Sequence, residues 1–486
     1  MPLTLRGYQQ EGVDALRGVL RGGAWAPLYV LPTGGGKTAV FTYITESAGA
    51  KGREVWILVH RKELVIQASR SLAQFGVAHG IIAPHDKVRA AMSDHMDRFG
   101  QSLVDQFARI HVASVQTLVR RLDKIRRPPD LLVIDEAHHA PAGQWAKIID
   151  AFPRAVRLGV TATPVRSDGQ GLGQHFDALV QGPSISQLIE EGYLSPPTVY
   201  APPSQLNLDG VHTRKGDYVT KEVAERVDTP KVTGDAVAHY GRICPGVPAI
   251  AFCASVRHAE HVAEEFRAAG WNAASVDGSM DDMQRDRRIR DLGEGKLHVL
   301  TSCDIISEGT DVPIVGAALL LRPTKSLGLY LQQVGRALRP YPGKERTIIL
   351  DHVGNSLVHG PPDEDREWSL EGTGAGEQGR GTKAPEGPKT RQCPQCYHVH
   401  KLQLACPACG YEYDDGGRVP EQVEGELTEM TKEQKEALKR ERKKEVARAK
   451  SLEDLQKIEK QRGYKPGWAR HVYNARQGKQ RRAANG

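Results

Sequence analysis

The chain has 486 residues, 39% hydrophobic and 26% charged, with a net charge of +7. This length supports two or three domains with sizeable cores, and the composition has an ordinary soluble profile. No run approaches eighteen apolar residues and the opening MPLTLRGYQQ has no apolar signal core, so a cytoplasmic protein without a membrane partner is expected. Seven cysteines fit metal ligands and buried thiols in such a setting, not disulfides. The charge is unevenly placed. Residues 430–486 hold 18 Lys+Arg against 7 Asp+Glu (+11), leaving 48 against 52 (−4) for everything before them. A local excess of this kind points to a polyanion such as nucleic acid, with a solvated surface helix as the plain alternative.

In chain order, residues 5–20 place Tyr8, Val13, Leu16, Val19 and Leu20 at near-helical spacing, with Arg6, Tyr8 and Gln9 at the start. An aromatic ring beside an amide can stack on and hydrogen-bond an adenine. An amphipathic helix explains the same letters.

Residues 28–38, LYVLPTGGGKT, follow. The apolar run 28–31 predicts a buried strand, and the helical pattern resumes at Ala39. Between them Thr33, Gly34, Gly35, Gly36, Lys37 and Thr38 form a candidate phosphate cradle. Glycines let backbone N–H groups close on phosphate oxygens, Lys37 reaches the β and γ phosphates, and the Thr38 hydroxyl can ligate Mg²⁺. The general pattern G-x-x-x-x-G-K-[ST] is not met, because Leu31 stands where its first glycine would be. A glycine-rich turn with a solvated lysine is the alternative.

Short apolar runs at 55–59, 110–113, 131–134 and 158–160 then alternate with helical patterns, which predicts a parallel sheet covered by helices. In such sheets function collects at the carboxyl ends of strands. Asp135 and Glu136 directly follow one of these runs: Asp135 is placed to hold Mg²⁺ opposite Thr38, and Glu136 to orient or deprotonate an attacking water.

After a weakly patterned stretch from Gly182 to Pro230, read as an interdomain connection with room for a few strands, alternation returns from Pro248 without a second phosphate loop. Residues 332–340, QQVGRALRP, put Arg336 and Arg339 on adjacent faces of one helical turn. Guanidinium matches phosphate bidentately, so the pair can stabilise charge on a transferring phosphoryl group; pairing with surface acids is the alternative.

PTGGGKT (32–38), DEAH (135–138) and TATP (161–164) resemble motifs I, II and III of superfamily 2 helicases of DEAH type. HRKELVIQ (60–67), SVQT (114–117) and FCAS (252–255) resemble the segments of that family that contact nucleic acid, and Gln332 to Arg339 match its Q-x-x-G-R-x-x-R. The resemblance implies ATP and Mg²⁺ as cofactors. Gln9 would contact adenine, His138 would couple the ATP site to the second domain, and Thr161 and Thr163 would relay nucleotide state. Asp311 would position the ribose, and Gly309 and Thr310 would line the path to nucleic acid. The arginines would arrive from the second domain when the two domains close, converting ATP turnover into stepping along a strand.

Residues 360–390 are rich in Gly, Pro and charge and read as a flexible linker. CPQC at 393–396 and CPAC at 406–409 follow, so Cys393, Cys396, Cys406 and Cys409 can close one tetrahedral structural Zn²⁺. A redox pair is the rival reading. In the tail, Ser451 with Asp454 reads as the cap of a short helix, and Tyr464, Trp468 and Tyr473 interleave with Lys465, Arg470 and Arg476. Helicase core, four-cysteine element and tail together resemble the bacterial RadD family of DNA-repair ATPases, related to XPB-like helicases, and phage-borne helicases of similar layout.

The expectation is therefore an α/β protein with two tandem RecA-like parallel-sheet domains, a small zinc-binding C-terminal module and a helical basic tail. The expected boundaries are 1–185 and 231–360 for the RecA-like domains, 186–230 for their connection, 361–390 for the linker, 391–415 for the zinc module and 430–486 for the tail. The expected activity is that of an ATP-dependent DNA helicase or translocase in repair, recombination or replication. Its partners would be single-stranded or branched DNA and repair or replication proteins. An RNA helicase, or a nucleotide-gated DNA clamp that does not unwind, fits the same letters.

Overall fold

The computed structural model describes residues 4–371 except 61, 140–142, 167–170, 203–207, 209, 215 and 304–311. Beyond 371 it describes 390–392, 399–401, 411, 428–429, 440, 446, 448–449, 451–462, 467–470 and 472–473. Asp311, Gly309 and Thr310, and the four cysteines of the expected zinc module, lie outside the described residues. The chain divides into two compact units, one of Met1–Leu194, Asp365–Gly374 and Arg448–Gly486, the other of Ser195–Glu364 and Ala375–Ala447.

The first unit opens on α1 (Gly7–Arg21), which buries Tyr8, Val13 and Leu16 as one stripe. Then come β1 (Pro27–Val30), α2 (Lys37–Ala50), β2 (Val55–Val59), α3 (Lys62–Gln74), β3 (Gly80–Ile82), α4 (His85–Phe99) and β4 (Ile110–Ser114). The short α5 (Val115–Val119) leads to β5 (Leu131–Asp135), α6 (Gly143–Ala151), β6 (Val156–Thr161), β7 (Ala178–Gln181) and α7 (Ile185–Glu190). Seven strands pair in the order β3-β4-β2-β5-β6-β1-β7, all parallel. Every residue of β1 and β2 is buried, as a sheet covered on both faces requires. Gly159 in β6 is a packing necessity: a Cβ there would sit 2.4 Å from Phe176 Cε1 and 2.7 Å from Leu28 Cδ1.

In the second unit β8 (Pro197–Ala201) is followed by the hairpin β9 (Thr213–Arg214) and β10 (Asp217–Tyr218), α8 (Thr220–Val227) and α9 (Pro230–Ile243). The alternation then runs β11 (Ala249–Phe252), α10 (Val256–Ala268), β12 (Ala273–Val276), α11 (Asp282–Gly293), β13 (Val299–Ser302), β14 (Ala317–Leu320), α12 (Leu327–Ala337), β15 (Thr347–Asp351) and α13 (Asn355–His359). Strands β16 (Thr390–Gln392) and β17 (Val399–Lys401) form a separate antiparallel pair. The main sheet has the order β12-β13-β11-β14-β15-β8-β18, parallel except where β18 (Thr428–Glu429) pairs antiparallel to β8. Two parallel-sheet α/β units are thus present, as the sequence predicts.

Two differences have physical causes. Residues 197–201, read as part of a connection, are β8: three of their neighbours in register, Ile348, Ile349 and Leu350, belong to a buried strand that pairing with β8 completes. Within the stretch read as linker, Trp368 and Leu370 pack on the first unit's core beside Leu172 and Phe176. The Leu370 carbonyl also accepts from Gly173 N at 2.8 Å, and Gln181 Nε2 donates to Arg366 O at 3.0 Å.

The helix Leu452–Arg462 buries Leu455 and Ile458. Its start is capped reciprocally, Asp454 N to Ser451 Oγ at 3.0 Å and Ser451 N to Asp454 Oδ2 at 3.1 Å. Among the described residues no helix is long and apolar enough to cross a membrane.

Candidate functional site

Register alone brings three of the predicted segments to one edge of the first sheet. Val30 pairs with Thr161 and Val160 with Asp135, so the turn after β1, the acids after β5 and the threonines after β6 leave the sheet at the same level. Leu31 N donates to Thr161 O at 3.0 Å, which prolongs the β1–β6 ladder into the start of the glycine turn.

In that turn Gly34 and Gly36 have φ of 89° and 84°, a region that L side chains avoid. Gly36 is the N-cap of α2, so the helix begins at Lys37, two residues before the pattern predicts. A Cβ on Gly36 would lie 2.4 Å from Gln9 Nε2, and one on Gly35 would lie 2.9 Å from Leu31 Cγ. Lys37 Nζ donates to Leu31 O at 3.3 Å, so the ammonium lies over the turn that precedes it. Thr33 is buried, and Thr38 occupies the first turn of α2, where helix N–H groups and dipole favour an anion.

Gln9 and Tyr8 both face the cradle from α1. The Gly35 carbonyl accepts from Tyr8 Oη at 2.8 Å and from Gln9 Nε2 at 3.2 Å. Tyr8 in turn packs on Tyr193, with ring centroids 5.0 Å apart, and the Arg6 guanidinium lies 4.5 Å over the Tyr193 ring. Burial raises the Tyr8 phenol above its ordinary value, so it remains a donor at neutral pH. Tyr193 escaped the sequence reading; nothing in the letters around it marks a residue so far along the chain as a neighbour of Tyr8.

At the end of β5, Asp135 Oδ1 accepts from Glu136 N at 3.0 Å. Glu136 is buried and has φ 47°, and among the described residues it is the one non-glycine with positive φ. A left-handed backbone at a residue with a Cβ costs about 1–3 kcal/mol and persists only where the surroundings enforce it. Its Oε2 lies 3.5 Å from His138 Nδ1. That same nitrogen is 3.0 Å from Thr161 Oγ1, whose own proton goes to Thr163 O at 2.9 Å. Thr161 Oγ1 must therefore accept from His138 Nδ1–H, and it also accepts from Thr163 N at 3.2 Å. One hydroxyl thus ties the acids after β5 to the loop after β6.

A fourth link reaches the segments read as nucleic-acid contacts: Gln116 Nε2 donates to His60 O at 2.6 Å, joining 60–67 to 114–117.

The second unit is distinct. There α12 is capped by Ser326, whose side chain accepts from Leu329 N at 3.2 Å. Gln332 and Arg336 are buried on this helix, and Arg339 follows just beyond its end.

The donor set of the first unit fits a magnesium nucleotide. A cradle walled so that only glycine is admitted, a lysine folded over it, a threonine hydroxyl in the first helical turn and an aspartate two strands away are hard oxygen and cationic groups suited to polyphosphate and Mg²⁺.

Known proteins share this layout. Residues 2–166 match the family model "Type III restriction enzyme, res subunit", and residues 238–341 match "Helicase conserved C-terminal domain". A "51.5 kDa protein" of a Lactococcus phage (isolate 7-9) is 33% identical over 385 residues, covering 79% of this chain and 77% of its own. The "Putative ATP-dependent helicase IRC3" of Saccharomyces cerevisiae is 30% identical over 374 residues, 73% of this chain; the match spans about half of that protein, 52%. Among solved structures, "The fragment structure of a putative HsdR subunit of a type I restriction enzyme from Vibrio vulnificus YJ016" superposes with a TM-score of 0.56 at 23% identity. That match covers 74% of this chain and 67% of the other, and it is a likeness of fold.

Proposed function

Because the chain belongs to the superfamily 2 helicases and is an ATP-hydrolysing enzyme of that family, we propose that it is a DNA translocase or helicase acting in repair, recombination or replication. The observation that carries this reading is the shared level of Val30, Thr161, Val160 and Asp135, which collects a glycine cradle, two acids and a threonine relay on one sheet edge.

In this reading Thr33 to Thr38 bind the triphosphate, with Lys37 on the β and γ phosphates, and Gln9 meets the adenine. The donation of Gln9 to Gly35 O holds its amide beside the cradle. Thr38 and Asp135 would hold Mg²⁺, whose chemistry when bound is to neutralise phosphate charge. Glu136, buried and 3.5 Å from an imidazole that donates to Thr161, orients the attacking water and accepts its proton. Arg336 and Arg339 stabilise charge on the transferring phosphoryl group, and Asp311 positions the ribose. His138, Thr161 and Thr163 form the relay by which hydrolysis is sensed. Cys393, Cys396, Cys406 and Cys409 hold a structural zinc, and the basic tail grips DNA.

The deciding experiment measures ATPase turnover of the full chain with single-stranded DNA, duplex DNA, forked DNA and RNA. Stimulation by DNA that Lys37→Ala abolishes supports the assignment. Stimulation by RNA alone would transfer it to an RNA helicase, and wild-type turnover in Lys37→Ala would remove the cradle from catalysis. Metal analysis of the same preparation should find one zinc per chain, lost in Cys396→Ser.

A further inference from the structure

The C-terminal end of α12 is tied down by a lysine that no catalytic assignment uses. A helix ends with carbonyl groups that lack intrahelical partners, and here those beside the arginines are met by donors from elsewhere in the unit. Ala337 O accepts from Lys344 Nζ, and also from Thr347 Oγ1 at 2.8 Å. Leu338 O accepts from Ser195 N at 2.7 Å, and Arg339 O from Lys344 Nζ at 2.6 Å. The same ammonium donates to Val315 O at 2.8 Å, just before β14.

The local sequence explains how Lys344 reaches them. In YPGK, Lys344 N donates to Tyr341 O at 2.9 Å and Gly343 has φ 80°. This is the geometry of a type II turn, for which Pro342 and Gly343 are the preferred central residues. The turn reverses the chain four residues after Arg339 and sends the lysine back to the helix end.

Burial, with Arg339 nearby, pulls the Lys344 amine down to about 7, while three carbonyl oxygens take the three N–H donors of its ammonium form and favour that form. Charge-assisted bonds of this kind are roughly twice as strong as neutral ones, and a cation at a helix C-terminus also complements the helix dipole. Two of the three carbonyls belong to Ala337 and Arg339, which flank Leu338 in the stretch that joins the two arginines. The backbone from Arg336 to Arg339 therefore has little freedom to rotate while Lys344 is in place.

We propose that Lys344 is a positioning residue for the arginine pair: seated on the carbonyls of Val315, Ala337 and Arg339, it holds the last turn of α12 in the conformation from which Arg336 and Arg339 act on phosphate. The inference rests on the catalytic reading of those arginines and goes beyond it, since Lys344 itself touches no reacting atom.

The test compares ATP turnover of the full chain in Lys344→Met, which keeps the aliphatic stem and removes the ammonium, with Arg336→Ala and Arg339→Ala. Lys344→Met is expected to lower kcat on the order of 10- to 100-fold, as small misplacements of charged groups do, while the KM for ATP changes little. Combined with Arg336→Ala and Arg339→Ala, it should add no further loss of kcat, because the groups it positions are gone. Lys344→Arg should restore activity only in part, since a planar fork cannot direct three donors onto convergent oxygens.

Wild-type kcat in Lys344→Met would overturn the proposal. So would an equal fractional loss with and without the arginines, which marks a merely structural lysine. Wild-type kcat in both arginine variants would sink the arginine assignment and this inference together, a result distinct from failure of Lys344 alone. If Lys344→Met does not fold, Thr347→Val removes the hydroxyl that donates to Ala337 O, and Ser195→Ala removes the hydroxyl that donates to Arg339 O at 3.5 Å. They must then show the same kcat-selective loss, in smaller measure, or the proposal falls.

Discussion

Glu136 joins backbone strain to the proposed role of general base in one residue. Its carboxylate is buried and its backbone is left-handed, φ 47°. Glu136→Gln keeps the shape and removes only the basicity, so turnover should vanish while the melting temperature and DNA affinity stay near wild type. Retained kcat, measured by phosphate release, would refute the role of the carboxylate. A second residue-scale prediction concerns acid. Ser69 Oγ lies 2.7 Å from His79 Nε2 and 3.2 Å from His95 Nε2, while His79 Nδ1 donates to Val77 O and His95 Nδ1 accepts from Leu103 N. The Leu103 donation fixes His95 as a neutral imidazole, and the Val77 carbonyl places a proton on His79 Nδ1. Burial, with His95 and His111 nearby, pulls His79 down to about 4, and burial lowers His95 as well. Folding therefore favours the neutral form, and its stabilisation is complete above the unfolded value near 6.5 and lost as pH falls toward about 4. For His79 the loss is on the order of 3 kcal/mol. Denaturant midpoints taken between pH 7 and pH 4 should fall steeply in the wild type and less steeply in His79→Gln.

Among elements, β6 is tightly packed at Gly159. Gly159 faces Phe176 and Leu28 with no room for a methyl group, and two residues later the strand delivers Thr161. Gly159→Ala should cost about 1–3 kcal/mol through overpacking, read as a lower denaturant midpoint. It should also reduce turnover, because moving β6 shifts Thr161 against His138. Gly12 makes the equivalent contact for α1, since a Cβ there would meet Tyr29 Oη at 2.3 Å. That spacing seats Tyr8 and Gln9 beside the cradle. The periodicity of these elements is readable in the letters: 55–59 is expected as a strand and is β2, and Leu452, Leu455 and Ile458 are expected on a capped helix and lie on one. The start of α2 falls two residues earlier than its pattern suggests because a left-handed Gly36 can act as the cap, a conformation that residue type permits but does not announce.

For the whole molecule the uneven charge makes the strongest claim. With +11 between residues 430 and 486, the tail should supply much of the salt dependence of nucleic-acid binding. Replacing Lys465, Arg470 and Arg476 by Gln should flatten the slope of log K against log salt by about 2, from roughly 0.7–0.9 for each phosphate no longer neutralised. An unchanged slope would assign the tail elsewhere. Deleting the whole C-terminal region is a poorer experiment than its composition suggests, because Leu455 and Ile458 are buried and Trp368 and Leu370 pack on the core of the first unit.

Strand and helix patterns, the glycine turn, the acids after β5 and the arginine spacing all lay in the sequence, because each is a local regularity of period, turn chemistry or residue type. Tertiary structure alone decided that Val30, Asp135 and Thr161 end level, that Tyr193 packs on Tyr8 and that Lys344 closes the end of α12. Those facts depend on strand register and on contacts between residues far apart in the chain. Such pairings are selected by the packing of whole faces, and no window of neighbouring residues contains them.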